Sequence, residues 1–205
     1  MKEKFLNNLS SKIKDKYNYS DTKIKEIRYG LETIYVSIIK LTILLIISFF
    51  IHTTKEICIF YLLYALLRLT GFGLHAKNTL QCYLLTIPTF ILIPYLIKTI
   101  ILNNYYYYII IMFIILLSIY APADTEKRPL INKKKRIIYK ICTIIISLIY
   151  FIFIITSNNY IIKNAMSFSI ILETLLVLPI SYRLLNLNYS NYKRYRRKED
   201  IKWIY

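Results

Sequence analysis

Apolar runs of close to twenty residues, separated by polar breaks that are alternately rich in lysine and arginine, constrain this chain more than any other feature. A bilayer core about 30 Å thick is crossed by roughly 20 apolar residues in a helix, and only helices or closed barrels satisfy the backbone there. Six runs can be read, at residues 33–51, 57–69, 80–102, 105–120, 137–156 and 160–187. The first is interrupted only by Lys40, and the second is short enough to be tilted or re-entrant. Pro88 and Pro94 predict kinks or a break in the third. Composition agrees: 57% of residues are hydrophobic, yet 28 Lys+Arg stand against 11 Asp+Glu. A soluble core has no use for so much apolar surface beside a net charge of +17. A disordered basic tail is excluded by the abundance of Leu, Ile, Val and Phe. Three Gly and three Cys exclude collagen-like and disulfide-scaffold classes. The expected fold is an all-α integral membrane bundle, forming a single domain over residues 1–205.

Charge sets the expected orientation, because cytoplasmic flanks collect Lys and Arg. Residues 1–32 carry eight cations, loop 121–136 carries six and tail 183–205 carries seven. The opposite turns, 52–56, 103–104 and 157–159, hold only Lys55. Six crossings with both termini in the cytoplasm put all three basic segments on one side, and segment 70–79 with them. The first 30 residues are charged throughout, so no cleavable signal peptide is expected. Phe5, Leu6, Leu9, Ile13 and Tyr17 recur at helical spacing between lysines, which reads as a helix lying in the headgroup region. Residues 33–187 then form the bundle and 188–205 a basic cytoplasmic tail. Tyrosines interleaved with cations at 189–198 can mark nucleic-acid binding. An anchor to anionic lipid is the better reading beside a membrane span, so no nucleic-acid partner is expected.

Chemistry concentrates in one stretch, from Arg68 to Cys82, which holds two of the three glycines, one of two histidines and one of three cysteines. A thiol and an imidazole are the parts of a nucleophile and its general base. The plainer reading is a small buried Cys and a solvated loop His. On one straight helix His75 and Cys82 would share a face but lie about 10.5 Å apart, too far to hydrogen-bond. A Cys–His pair therefore needs a non-helical chain near His75, which Gly71 and Gly73 permit. Asn78, with Gln81 three residues on, resembles a capping box for the third span. Cys82 would then sit near a helix start, where partial positive charge and a neighbouring imidazolium both stabilise a thiolate.

A metal site is the rival constellation, but no CxxC or HxxxH pair exists, and neither a metal nor another cofactor is expected. Lys40 and Glu173 are ionisable groups within apolar spans and functional hypotheses by default. They support an alternative, a small polytopic carrier or accessory subunit without peptidase chemistry. A helix–helix ion pair explains such groups more simply.

Gly73-Leu74-His75-Ala76-Lys77 followed by Cys82 resembles the catalytic signature of the AgrB family, accessory gene regulator protein B of Gram-positive bacteria. A second stretch, Tyr120-Ala121-Pro122-Ala123-Asp124 and onward to Leu130, resembles the APA-type cytoplasmic loop after that family's fourth span. The resemblance implies a cell-membrane cysteine endopeptidase whose active site faces the cytoplasm. Its implied substrate is an AgrD-like precursor peptide, which loses an acidic tail and is closed into a thiolactone or lactone quorum-sensing signal. Cys82 is then the nucleophile and His75 the base. Arg68 and Gly73 match positions that the family pattern favours. Glu32, Asn78 and Gln81 stay open as a third residue orienting His75. Lys127 and Arg128, with residues 133–136, are candidates for steering the acidic tail, or simply a positive-inside anchor. The resemblance also allows a homodimer.

Overall fold

The computed structural model describes residues 2–17, 19–74, 79–100, 105–125 and 129–193. Among these the chain is helical, with one isolated parallel bridge between Phe72 and Ala123. It divides into two compact units, Met1–Ile47 and Ser48–Tyr205.

The first unit holds α1 (Lys2–Tyr17) and most of α2 (Asp21–Phe50). On the stripe read for α1, Leu6 is buried, Leu9 and Ile13 are half-buried and Tyr17 is exposed. Lys14 pairs with Asp21 and Arg28 with Glu3, both at 2.7 Å. Both pairs are exposed, so their contribution to stability is small. α2 has 30 residues and is therefore about 45 Å long, with its apolar section at Gly30–Phe50.

The second unit is built of α3 (Thr54–Gly71), α4 (Thr79–Thr99), α5 (Tyr106–Tyr120), α6 (Lys133–Thr156), α7 (Tyr160–Val177) and the short α8 (Pro179–Leu184). α7 packs against α3, α4, α5 and α6 and is the most buried of the long apolar helices. Small residues explain this: Ala165, Ser167 and Ser169 are fully or almost fully buried and let neighbours approach. The two serines return their hydroxyls to the carbonyls of Lys163 and Ala165, so no polar group is left bare. Around them Leu67, Ile110, Ile114, Tyr150, Ile154 and Ile170 form the core. Polar side chains tie helix to helix. Asn164 donates to the carbonyls of Ile97 and Ile100 at 3.0 and 2.7 Å, capturing the end of α4. Tyr150 donates to Leu63 O at 2.9 Å, and Thr174 to Phe113 O at 3.2 Å. By contrast Ile141, Ile145, Leu148 and Ile152 of α6 are exposed, as a lipid-facing stripe should be.

Among the described residues, four helices are long and apolar enough to cross a membrane: Gly30–Phe50 of α2, Leu80–Thr99 of α4, and α6 and α7 entire. α5 is apolar but has only 15 residues, and α3 carries Lys55, Glu56 and Arg68 within its 18. The run expected at 160–187 is not one helix. α7 stops at Val177, Leu178 is extended (ψ 138°), and α8 restarts with Pro179 in its first turn. Proline disfavours helical geometry in the residue before it but fits the first helical position. Pro88 and Pro94, in contrast, lie inside an unbroken α4.

Candidate active site

The turn that leaves α3 is the base of the site. Gly71 ends the helix, and the chain reverses through Phe72 (φ 62°) and Gly73 (φ 80°). Left-handed geometry is strained for a bulky Phe and natural for Gly. Three backbone hydrogen bonds hold it: Gly73 N donates to Ala123 O at 2.8 Å, Ala123 N to Gly71 O at 3.1 Å, and Leu74 N to Leu176 O at 2.9 Å. Residues 71–74 are thus wedged between the 121–125 loop and the end of α7.

Arg68, one turn back on α3, reaches over this reversal. Its Nη2 donates to Leu74 O at 2.5 Å, and its Nη1 lies 3.6 Å from Glu173 Oε2. Glu173 is completely buried on α7. The expected helix–helix ion pair therefore exists, with Arg68 as the partner of Glu173. The close packing needs both glycines, for different reasons. A Cβ on Gly71 would overlap Glu173 Oε1, and one on Gly73 would overlap Arg68 and lie 3.0 Å from Leu176 O. Gly73 supplies the turn, whereas Gly71 supplies room for a carboxylate.

The 121–125 loop is fixed in turn through Asp124, which is buried. Its Oδ1 accepts from Asn191 N at 2.9 Å, and its Oδ2 from Tyr192 N at 2.7 Å and Leu130 N at 3.3 Å. Tyr182 donates its hydroxyl to Asp124 O at 3.2 Å. Burial pushes the Asp124 carboxyl above the usual range, and the backbone donors and Arg136 pull it back only in part. The start of the basic tail is therefore docked: Asn191 is buried and Tyr192 lies under the Arg136 guanidinium, 3.4 Å from its ring centre. Arg136 is thus stacked rather than extended. It belongs with Lys133, Lys134 and Lys135 to the first turn of α6, where four cations oppose the helix dipole. Their presence there is not explained by helix stability.

Cys82 lies four residues into the described part of α4, half-buried, its Sγ 3.9 Å from Thr86 Oγ1. Arg68 and Gly73 stand close together, while Cys82 belongs to α4. Gln81 precedes Cys82 on α4 and projects roughly 100° away around the helix. Glu32 is a half-buried residue of α2 in the first unit. His75, Asn78, Lys127 and Arg128 lie outside the described residues. Tyr182 and Asn191 are not singled out by the sequence, and Asp124 appears there only as part of the Ala-Pro-Ala stretch with no role of its own. Their one signal is an acidic residue in an otherwise apolar Ala-Pro-Ala turn.

The family model described as accessory gene regulator B matches residues 3–177. The chain is 32% identical over 196 residues to an AgrB-like protein of Clostridium acetobutylicum, covering 95% of this chain and 94% of that one. It is 31% identical over 183 residues to an AgrB-like protein of Listeria welshimeri, covering 89% and 90%. Over 196 residues it is 28% identical to the accessory gene regulator protein B of Staphylococcus epidermidis, covering 93% and 97%. No solved structure matches it. With these relatives along nearly its whole length and several helices apolar enough to span a bilayer, the chain is a membrane protein belonging to the accessory gene regulator B family.

Proposed function

We propose that the chain is a membrane cysteine endopeptidase that cleaves an AgrD-like precursor peptide and promotes closure of the released segment into a thiolactone or lactone signal. α2 to α7 make six crossings in this reading, with both termini and the 72–82 segment at the cytoplasmic face. The observation that carries it is the clamped reversal at Phe72 and Gly73, which leads the chain into His75 within a few residues of Cys82. α3 ends at Gly71, so it does not run on as one rod into α4, and the approach of His75 to Cys82 is part of the proposal.

In the chemistry, the Cys82 thiolate attacks the scissile carbonyl carbon, and the amide C–N bond breaks. His75 delivers the proton that the departing amine takes up, leaving an acyl group on sulfur. A Cys or Ser of the precursor then attacks this thioester, the ring closes and Cys82 is returned as thiolate. Water would hydrolyse the same thioester, so the site must admit the internal nucleophile and exclude solvent. A segment wedged between a loop and a helix end under the bilayer surface suits that requirement.

Co-expression with a precursor is the test. Cys82→Ala and His75→Ala should each abolish processing while the protein still accumulates in the membrane. Processing that persists in Cys82→Ala overturns the reading.

A further inference from the structure

A cavity of about 360 Å³ is bounded by the start of α6, the end of α5, loop 121–124 and the docked tail. Its size falls among small-molecule sites, which span roughly 300–1,000 Å³. Three cations line it: Lys133, Arg136 and Lys140. Spaced three and four residues apart, they share one face of α6 and lie within about 10.5 Å of its axis length. Lys133 is exposed and the other two are half-buried, so all three keep surface for a ligand. Among the described residues neither lysine is in an ion pair. Arg136 lies face-on over the Tyr192 ring at 3.4 Å, a stacking that leaves the N–H groups in the guanidinium plane unused. Asp124 is the one acidic group in the lining; it is buried, and its oxygens already accept three backbone N–H groups.

The neighbours of these cations decide which anion fits. Ile119 of α5 and Ile137 of α6 also line the cavity, and both are exposed. Ile137 stands one turn before Ile141 and the exposed stripe of α6, and Ile119 one turn after the exposed Ile115 of α5. The basic lining therefore borders two apolar rows. An acidic peptide or a free phosphate satisfies the cations and leaves the isoleucines uncovered. A zwitterionic lipid covers the isoleucines but brings a quaternary ammonium among three cations. An anionic head joined to long apolar chains meets both demands. Such a ligand also accounts for Lys133 and Arg136 at a helix start whose dipole opposes them, because an anion held among them relieves the repulsion.

We propose that this cavity holds the phosphodiester head of one anionic phospholipid of the phosphatidylglycerol type, its chains running along Ile119, Ile137 and the rows beyond. The lipid bridges α6, loop 121–124 and the tail. Ala123 of that loop is hydrogen-bonded to Gly71 and Gly73, so occupancy steadies the reversal as well. The site requires a membrane protein and stands apart from the peptidase reading.

The test uses the full chain purified in neutral detergent, with retained lipid counted by native mass spectrometry. Phosphatidylglycerol should be retained as one tight copy, at least tenfold more strongly than phosphatidylcholine with the same chains. Lys133→Gln with Lys140→Gln should weaken it tenfold or more, since each cation near an anionic lipid surface is worth about fivefold in affinity. Lys134→Gln with Lys135→Gln removes the same charge from residues outside the lining and should change it less than twofold. Equal retention of the two lipids, or equal loss in the two double variants, would overturn the site. Glycerophosphoglycerol, the same head without chains, should need at least a hundredfold higher concentration to displace the lipid; displacement below that makes the cavity a free-anion site. A soluble peptide rich in Asp and Glu should need the same excess, and displacement below it assigns the cavity to an acidic peptide; either result overturns the lipid. Should the lysine variant fail to insert, Ile137→Glu, within the lining, should lose the lipid while Ile138→Glu, exposed beside it, should keep it. Equal behaviour of those two overturns the proposal.

Discussion

Glu173 and Arg68 form a pair whose geometry is poor for an isolated salt bridge, at 3.6 Å and, among the described residues, with no hydrogen bond on either carboxylate oxygen. Its value is in what Arg68 does with its other nitrogen, which fixes Leu74. Removing one partner of a buried pair costs about 3–5 kcal/mol, because the survivor is left uncompensated. Glu173→Gln should therefore lower thermal stability in detergent and cut processing about tenfold, with Glu173→Asp recovering part of the activity; equal activity in Gln and Asp variants would show that the charge is irrelevant. Gly73→Ala should lose processing tenfold or more, since an alanine at φ 80° would collide with Arg68. Gly30→Ala, where a Cβ meets nothing within 4 Å, is the matched control and should process normally. Asp124 gives a pH signature. Its carboxyl is raised in the fold, so protonation favours the folded state: that stabilisation is complete below the ordinary value near pH 4 and lost as pH rises through the raised one. Unfolding of purified protein between pH 4 and 7 should show this decline, and Asp124→Asn should flatten it while lowering stability overall. An identical slope in the variant would assign the effect elsewhere. At this scale the sequence was legible for Arg68, Gly73 and Glu173, whose residue types stand out in apolar surroundings. Asp124 was not, because its donors come from residues 6 to 68 positions away.

Helices are the scale at which periodicity and length speak most clearly: the first five apolar runs read in the sequence each correspond to one helix, and the last is divided between α7 and α8. The differences have specific causes. Pro179 ended α7 early, since proline suits a helix start better than its interior. Pro88 and Pro94 did not break α4. Gly71 looked like a turn residue but serves close approach, which only the position of Glu173 on another helix reveals. The polar tie between α4 and α7 was equally hidden, because Asn164 alone does not name the carbonyls that it will meet. Asn164→Leu leaves Ile97 O and Ile100 O without that donor and should cost about 1–2 kcal/mol, near the upper end for hydrogen bonds between membrane helices. Thermal unfolding in detergent checks it; an unchanged midpoint would mean that lipid or water replaces the amide at no cost.

For the whole molecule, the proposed topology puts the reversal, the 121–125 loop and the tail on the cytoplasmic side. Asn78→Cys should accordingly resist an impermeant thiol reagent applied to intact cells and react once the membrane is opened; labelling from outside would invert the topology. The docking of Asn191 and Tyr192 on Asp124 adds a physical reason for the tail and the loop to lie together. Basic composition announced the tail as a surface anchor but could not show that its first residues close over a buried carboxylate. The central claim is chemical: Cys82 carries the peptide as a thioester. A precursor whose ring-closing residue is replaced by Ala cannot leave by cyclisation, so the acyl-enzyme should accumulate. Intact-mass measurement of the purified protein should then show an adduct equal to the acyl fragment, released by neutral hydroxylamine and missing in Cys82→Ala. Cleavage of that precursor with no adduct, or an adduct that remains in Cys82→Ala, would contradict the account.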